Sequence, residues 1–517
     1  MKKVMKSMVL GSLAAAMLAS GAAAANFTSS ADVLKDLGLF QGTEAGYDLD
    51  RAPDRAEAAT MMVRLLGKEA EAKSYYEANA DKFPFTDLDN GYEWAKPYVA
   101  WLYSQGLTSG ASATTFEPGS KCTAQQYTTF LMRALGYSDA EGGDFTYDKA
   151  IDFATEKGVV DMFNMDADDF MRDDVVAMSY TALSVAPKSG ETDLLTKLVA
   201  DKAVDAEKAA PVQKTFETLR NFNEAYKAVA ATTSADATAD FTMNMKVENQ
   251  AVDATGKFNV QVKADPAKLE EMQMALTGTL NLKVPASEGT EAMSVEVPME
   301  MYVKDGVAYT NAMGSKMKQD LDLDTVLKGV DIQAMTGMTT MPLCMVDSIS
   351  QDGNTYKMSY NTEAFNGLFA ELFNQMAGQV EISEEMKAQG ITEDMFKMSV
   401  DLSKADIEMT FKDGGLYDEK ADMAMTMEVV GVPVDVTMNM NVSATKVGDA
   451  VEVQYPTDLD TYKTVEELTA EAETAAEATT ETTTETEAST EKTETPAADT
   501  TTPATETAPA ADATAAQ

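Results

Sequence analysis

Residues 85–110, FTDLDNGYEWAKPYVAWLYSQGLTSG, and residues 114–137, TTFEPGSKCTAQQYTTFLMRALGY, decide the reading of the first third of the chain. The first predicts a helix over Pro97–Gln105 that stops at Gly106-Leu107. Glycine commonly follows the last helical residue because it accepts a positive φ. The second predicts a helix opened by Thr123, with Gln126 three residues on to complete a capping box. Its Tyr127, Phe130, Leu131 and Ala134 fall at helical spacing. The same order occurs on either side. Upstream stand ADVLKDLGLFQG (31–42) and DLDRAPDRAEAATMMVRLLG (48–67), with Asp54 as the N-cap and Ala58, Met61, Met62 and Leu65 on one face. Downstream stand FTYDKAIDFATEKGVVDMF (145–163) and DDFMRDDVVAMSYTALSV (168–185). Each copy has a Gly-plus-apolar stop: Gly38-Leu39, Gly106-Leu107 and Gly158-Val159. A unit repeated at this period is a supersecondary module that buries its apolar face against its neighbours.

These residues resemble the S-layer homology family. The middle copy carries the pattern as Phe85-Thr86-Asp87, Trp94-Ala95, Gly106-Leu107-Thr108-Ser109-Gly110, Phe116-Glu117-Pro118 and Leu131-Met132-Arg133-Ala134-Leu135-Gly136. The first copy carries Asp54-Arg55-Ala56-Glu57 and Val63-Arg64-Leu65-Leu66-Gly67, and the third is degenerate. The resemblance implies an all-α, pseudo-threefold module of three repeats (about 27–80, 83–138 and 145–187). It also implies non-covalent attachment to a secondary polymer of a Gram-positive cell wall, often a pyruvylated and hence anionic polysaccharide. The implied binding positions are Arg55, Glu57, Asp87, Trp94, Gly110 and Arg172. An Arg fork suits bidentate carboxylate recognition, whereas Ala124 stands where the second repeat would carry its Arg. For Trp94 two readings stay open, stacking on a sugar face or packing between helices. Trp101 is read as core, and for Arg55 the alternative is an exposed first-turn residue with a local ion pair.

Composition sets the bounds. The 517 residues hold 41 Lys+Arg, 85 Asp+Glu, no His and two Cys, for a net charge of −44. Such a polyanion repels nucleic acid, whose binding is dominated by phosphate charge. The absence of His removes Ser-His-Asp and Cys-His catalysis and every His-dependent metal site. Cys122 and Cys344 are too few for a metal cluster or a disulfide framework. Neither a metal nor another cofactor is expected. At the start, Lys2, Lys3 and Lys6, the apolar run Met8–Leu18 and Ala22–Ala25 read as a secretory signal peptide over residues 1–25. The alternative, an uncleaved anchor, is disfavoured because a span needs about 20 apolar residues. No later segment reads as transmembrane. From 463 to 517 the chain is almost entirely Thr, Glu, Ala and Pro, which predicts a disordered tail: a solubilising spacer or, less favoured, a binding tail.

Residues 188–211 read as a linker. Over 212–456 the period changes to two. Alternation over 241–247, 258–263, 276–284, 295–303, 405–411, 421–430 and 434–442 predicts strands. Asp305-Gly306, Asp352-Gly353 and Asp413-Gly414-Gly415 supply turns. Helices are expected at Val212–Ala230 and Glu363–Met376. The fold class is therefore multidomain: the repeat module, then an α+β domain with a large curled antiparallel sheet and covering helices, then the tail. The β-region, with YVKDGVAYTNAMGSKMKQDLD (302–322) as a hairpin, resembles LolA-like lipoprotein-carrier folds. That resemblance implies a half-barrel holding an acyl chain. Met243, Met245, Met299, Met301, Met438 and Met440 then line an apolar ligand site, or they simply fill the core, since methionine suits both. Asp320–Asp324 and Asp166–Asp169 lack calcium-loop spacing and read as solvated loops. The whole reads as a secreted, wall-anchored, non-enzymatic surface protein. Alternatives are a lipid carrier, a self-associating structural protein or, less favoured, a polysaccharide hydrolase.

Overall fold

The computed structural model describes residues 27–43, 46–247, 250–265, 268, 271–286, 292–312, 314–321, 340–367, 398–429 and 432–470. The signal peptide, most of the acidic tail and residues 368–376 of the second predicted β-region helix lie outside them.

Residues 27–204 are helical. The repeats contribute α1 (Thr28–Asp36), α2 (Arg55–Leu65), α3 (Glu69–Asn79), α4 (Lys96–Ser104), α5 (Ala124–Ala134), α6 (Ala150–Glu156) and α7 (Arg172–Leu183). The three glycine stops share one geometry. Gly38, Gly106 and Gly158 have φ of 78°, 70° and 72°. In each the next residue's N–H reaches back five residues: Leu39 to Leu34 O, Leu107 to Leu102 O and Val159 to Ala154 O, at 2.8–2.9 Å. These 6→1 bonds satisfy carbonyls that the helix end leaves open. Asp54 with Glu57 and Thr123 with Gln126 form the expected capping boxes. The core is drawn from every repeat and includes Leu34, Met62, Leu88, Tyr127, Leu131 and Met178, all below 2% exposed.

The stretch expected to be a linker is instead ordered helix. Asp193 caps α8 (Leu194–Ala200), which buries Leu194, Leu195 and Leu198. Asp205 caps α9 (Ala206–Ala230), six residues earlier than the apolar pattern suggested, through bonds to Glu207 N and Lys208 N. Cap chemistry and three buried leucines outweigh the local polarity.

The second region is an eleven-stranded antiparallel sheet in the order β6-β5-β4-β3-β2-β1-β11-β10-β9-β8-β7. Its strands are β1 (Ser234–Val247), β2 (Gln250–Lys263), β3 (Gln273–Val284), β4 (Met293–Lys304), β5 (Val307–Ala312), β6 (Ser315–Asp320), β7 (Val346–Asp352), β8 (Thr355–Tyr360), β9 (Met398–Phe411), β10 (Tyr417–Val429) and β11 (Val432–Val447). Two meanders meet where the first strand pairs the last, Ala235 opposite Val447 and Val247 opposite Val434. All seven alternating stretches fall in strands, the sixth as far as Val429. Asp305 and Gly306 both take positive φ (51° and 72°), as a two-residue hairpin turn requires. One face is apolar. Phe241 and Phe258 stack at 5.9 Å over Gly256, where a Cβ would strike both rings. Helix α9 packs on this face at its β7–β10 end, Phe222 standing 5.5 Å from Tyr356 and 5.6 Å from Phe411. The opposite face of β2–β6 is crossed by residues 451–462: Tyr455 donates to Val303 O at 2.9 Å, Tyr462 stacks edge-on against Tyr309, and Asp458 pairs with Lys316.

Lys463–Gln517 forms a separate unit. Its residues 465–470 are helical, with Thr464 Oγ1 accepting from Glu467 N and Glu467 accepting from Thr464 N. Disorder was expected from 463 onward, so this capped turn corrects the near end of that span. The remainder lies outside the described residues.

Candidate functional site at the repeat junctions

Two junctions between repeats are built alike, residue for residue. At the first, Arg55 opens α2 and its N–H donates to Ser120 O at 3.0 Å, while Ala56 N donates to Pro118 O at 3.1 Å. At the second, Arg172 opens α7, with Arg172 N on Arg51 O at 2.9 Å and Asp173 N on Leu49 O at 3.2 Å. Counted back from the N-caps Thr123 and Asp54, the accepting carbonyls are the same positions. Helix N-termini need such acceptors because their first N–H groups have no intrahelical partner. The side chains correspond too. Arg55 Nε donates to Phe116 O at 2.9 Å and Arg172 Nε to Tyr47 O at 3.0 Å, again equivalent residues. Each guanidinium lies by an aromatic ring, Arg55 4.9 Å from Phe116 and Arg172 5.9 Å from Phe40.

The two arginines differ in their charge partners. Arg172 is 3.4 Å from Glu57 Oε1. Glu57 also takes a two-point bond from Arg51, at 2.8 and 2.6 Å, and caps Asp54 N at 3.0 Å. Burial pushes the Glu57 carboxyl up, but the Arg51 bonds, the Asp54 N–H and the Arg172 charge outweigh it and hold it below its ordinary range. Asp54 goes the other way: burial raises it, more than the Glu57 N–H lowers it. Arg55 has no carboxylate within ion-pair distance among the described residues. It is 7% exposed, its Nε is used, and its two terminal nitrogens make no hydrogen bond among those residues.

The remaining predicted positions divide by role. Asp87 places both carboxylate oxygens on the loop that receives Arg55, accepting from Phe116 N at 2.9 and 3.0 Å and from Glu117 N at 2.7 Å. Gly110 has φ +77°, and a Cβ there would run into the Phe85 ring. Asp87 and Gly110 thus shape the junction from beneath. Trp101 is buried and donates to Glu71 Oε1 at 3.1 Å. Trp94 is 47% exposed and 6.3 Å from Tyr92, whose hydroxyl lies within electrostatic reach of Asp54 and sits over Gly119. An exposed indole therefore stands next to the Arg55 junction. Arg51 and Tyr92 were not singled out from sequence. Arg51's signal was a basic residue three positions before a capping box. The third junction lacks the pattern: Ala124 opens α5 and is buried, and contact runs through Gln125 to Tyr147 O and Tyr127 to Ser179 at 2.7 Å.

The methionines lie where alternation put them. Met243 pairs with Met438 and Met438 with Met423; Met245 and Met440 occupy adjacent rows. Met438 is buried, whereas Met243, Met245, Met299, Met301 and Met440 are half-buried. Among the described residues no group of three or more Cys, Asp or Glu could hold a metal ion, and no helix is long and apolar enough to cross a membrane.

Residues 84–127 match the family model of the S-layer homology domain. The chain is 31% identical over 156 residues to the middle cell wall protein of Brevibacillus brevis, covering 28% of this chain and 14% of that one. It is 29% identical over 118 residues to a cell surface protein of Thermoanaerobacter kivui (23% and 15%) and 34% identical over 108 residues to an endoglucanase of a Bacillus species (20% and 11%). The chain thus spans about an eighth of the length of these curated relatives. Among solved structures it is similar to LprF of Mycobacterium bovis, at 11% identity, 46% coverage of this chain, 97% of that chain and a TM-score of 0.19. Overlap that low establishes no common fold. The chain carries an S-layer homology domain at residues 84–127.

Proposed function

We propose that residues 27–187 form a quasi-threefold wall-binding module that attaches a secreted protein non-covalently to an anionic secondary polymer of a Gram-positive-type cell wall. The carrying observation is Arg55: a nearly buried guanidinium, held by Phe116 O, with no carboxylate partner among the described residues. A buried cation without a counter-ion favours an anionic ligand, and its two terminal nitrogens, unbonded among the described residues, match the bidentate geometry of a carboxylate. Trp94 offers an exposed ring for the adjoining sugar. Arg172 has the same backbone setting, but its charge is already met by Glu57, so Arg55 is the principal cation. The similarity to proteins named for the cell wall and cell surface supports surface placement. The β-region is read as a structural or apolar-ligand-binding domain and not as a hydrolase, although one relative is named an endoglucanase. Its half-buried methionine face supports the apolar-ligand reading.

Pelleting of the full chain with purified walls tests the proposal. Arg55→Ala and Trp94→Ala are each expected to weaken pelleting about tenfold, as is chemical removal of the secondary polymer from the walls. Trp94→Ala is the cleaner variant, because an exposed side chain leaves stability within about 0.5 kcal/mol. Wall binding unchanged by all three treatments refutes the assignment.

A further inference from the structure

The apolar face of the sheet carries a carboxyl, Glu419, that no group among the described residues answers. Alternation along β10 places Tyr417, Glu419, Ala421, Met423, Met425 and Met427 on one side. Glu419 is opposite Met409 on β9 and Val442 on β11, and the row continues through Ala239 to Phe258. Three tyrosines lie within electrostatic reach of it: Tyr226 from α9, Tyr360 from β8 and Tyr417 two residues back. Glu419 forms no hydrogen bond or ion pair among the described residues, although the nearby polar side chains of the opposite face, Asp418 and Lys420, are each paired. Desolvation alone pushes its carboxyl up. Core filling does not account for an acid here. Glu419 is half-buried, and partial burial of a carboxyl with no partner among the described residues costs free energy that Met, filling the same space, would avoid.

We propose that Glu419 receives the ammonium group of an amphiphile whose apolar chain lies along the methionine face, toward Met440 and Met438. The inference rests on the apolar-ligand reading of that face. A carboxylate among aromatic rings is complementary to an organic cation, because the ring faces are negative and the carboxylate supplies the counter-charge. The neighbouring methionines suit a flexible alkyl chain. A fatty acid is disfavoured by the same chemistry, since its carboxylate would bring a second negative charge to Glu419.

The test uses the full chain at about 0.15 M salt, which screens the general attraction of an acidic protein for cations. Dodecylammonium, dodecanol and dodecanoate are titrated below their micelle concentrations against the wild type and Glu419→Gln. The wild type is expected to bind dodecylammonium at least about tenfold tighter than dodecanol, and dodecanoate weakest. Glu419→Gln is expected to lose that preference and keep its dodecanol affinity. Glu419→Met, which also removes the carboxyl, gives the same result should Gln fail to fold. Equal binding of ammonium and alcohol by the wild type, or a preference that survives both substitutions, overturns the Glu419 assignment and leaves the apolar face standing. Binding of none of the three overturns the apolar-ligand reading itself.

Discussion

Arg172 is the residue on which structural and ligand-binding roles separate most clearly. Its side chain is 4% exposed. Truncation to Ala removes the Nε bond to Tyr47 O and the buried stem beside Phe40. A hydrogen bond from a charged donor is worth about 1.5–3 kcal/mol, and each buried methylene adds about 0.8 kcal/mol. Relief of the guanidinium's desolvation offsets some of this, as does Arg51, which remains to hold Glu57. A net loss of about 3 kcal/mol results. For a helical region of this size 1 kcal/mol moves the melting temperature by about 2–4 °C, so Arg172→Ala should melt roughly 6–12 °C lower. Arg51→Ala provides the contrast. Its side chain is 42% exposed, and surface pairs are worth about 0–1 kcal/mol. Far-UV circular dichroism follows the helical transition, and wall pelleting well below that transition follows binding. The expected outcome is a large melting shift with near-normal cold pelleting for Arg172→Ala. An unchanged melting temperature with pelleting abolished would refute the reasoning and make Arg172 a ligand.

Two more predictions concern the same module. Burial raises the Asp173 carboxyl to about 8 and the Asp174 carboxyl to about 7, against the bonds that Phe27 N and Met171 N donate to them. Between about pH 4, where the unfolded carboxyls titrate, and pH 8, the native state holds protons that the unfolded chain has released. Stability therefore falls as pH rises through that window. Thermal unfolding should show a higher midpoint at pH 6 than at pH 9, and Asp173→Asn, which can still accept from Phe27 N, should flatten the slope. Gly110→Ala combines a positive φ with a collision at Phe85; a cost of about 1–3 kcal/mol is expected in urea unfolding, and no cost would mean that the loop shifts freely.

Period and punctuation made much of this legible from sequence. The seven alternating stretches are strands because one face of the sheet is apolar and the other polar, so period two is preserved along each. The glycine stops and the two capping boxes were readable because each depends on residues within five positions. What was missed depends on distance in sequence. Helix α8 is short and flanked by polar residues, and its local Asp193 cap decides the matter only together with burial of three leucines against the rest of the helical core. Strands β7 and β8 are short. Glu57, read as a ligand-facing acid, is engaged by Arg51 and Arg172, and the Arg172 partnership spans more than a hundred residues. The asymmetry between Arg55 and Arg172 was hidden for that reason: both open a helix in matching motifs, and among the described residues only Arg172 meets a carboxylate.

The pairing of the first strand with the last has a mechanical consequence. The chain enters the sheet at Ser234 and leaves it at Val447, and these ends lie side by side because the two strands are antiparallel. Tension carried between α9 and the chain beyond 462 would therefore pull β1 and β11 away from each other from one end. Ladder bonds would break in succession, as in a zipper, where shear would load them together. Residues 451–462 intercept that path. Val451 is fully buried, and Tyr455, Asp458 and Tyr462 are fastened to β4, β6 and β5. The load is thereby handed from the exposed end of one ladder to several strands across the sheet. Under tension between the helical region and the chain beyond 462, this strap would yield before the central ladder opened.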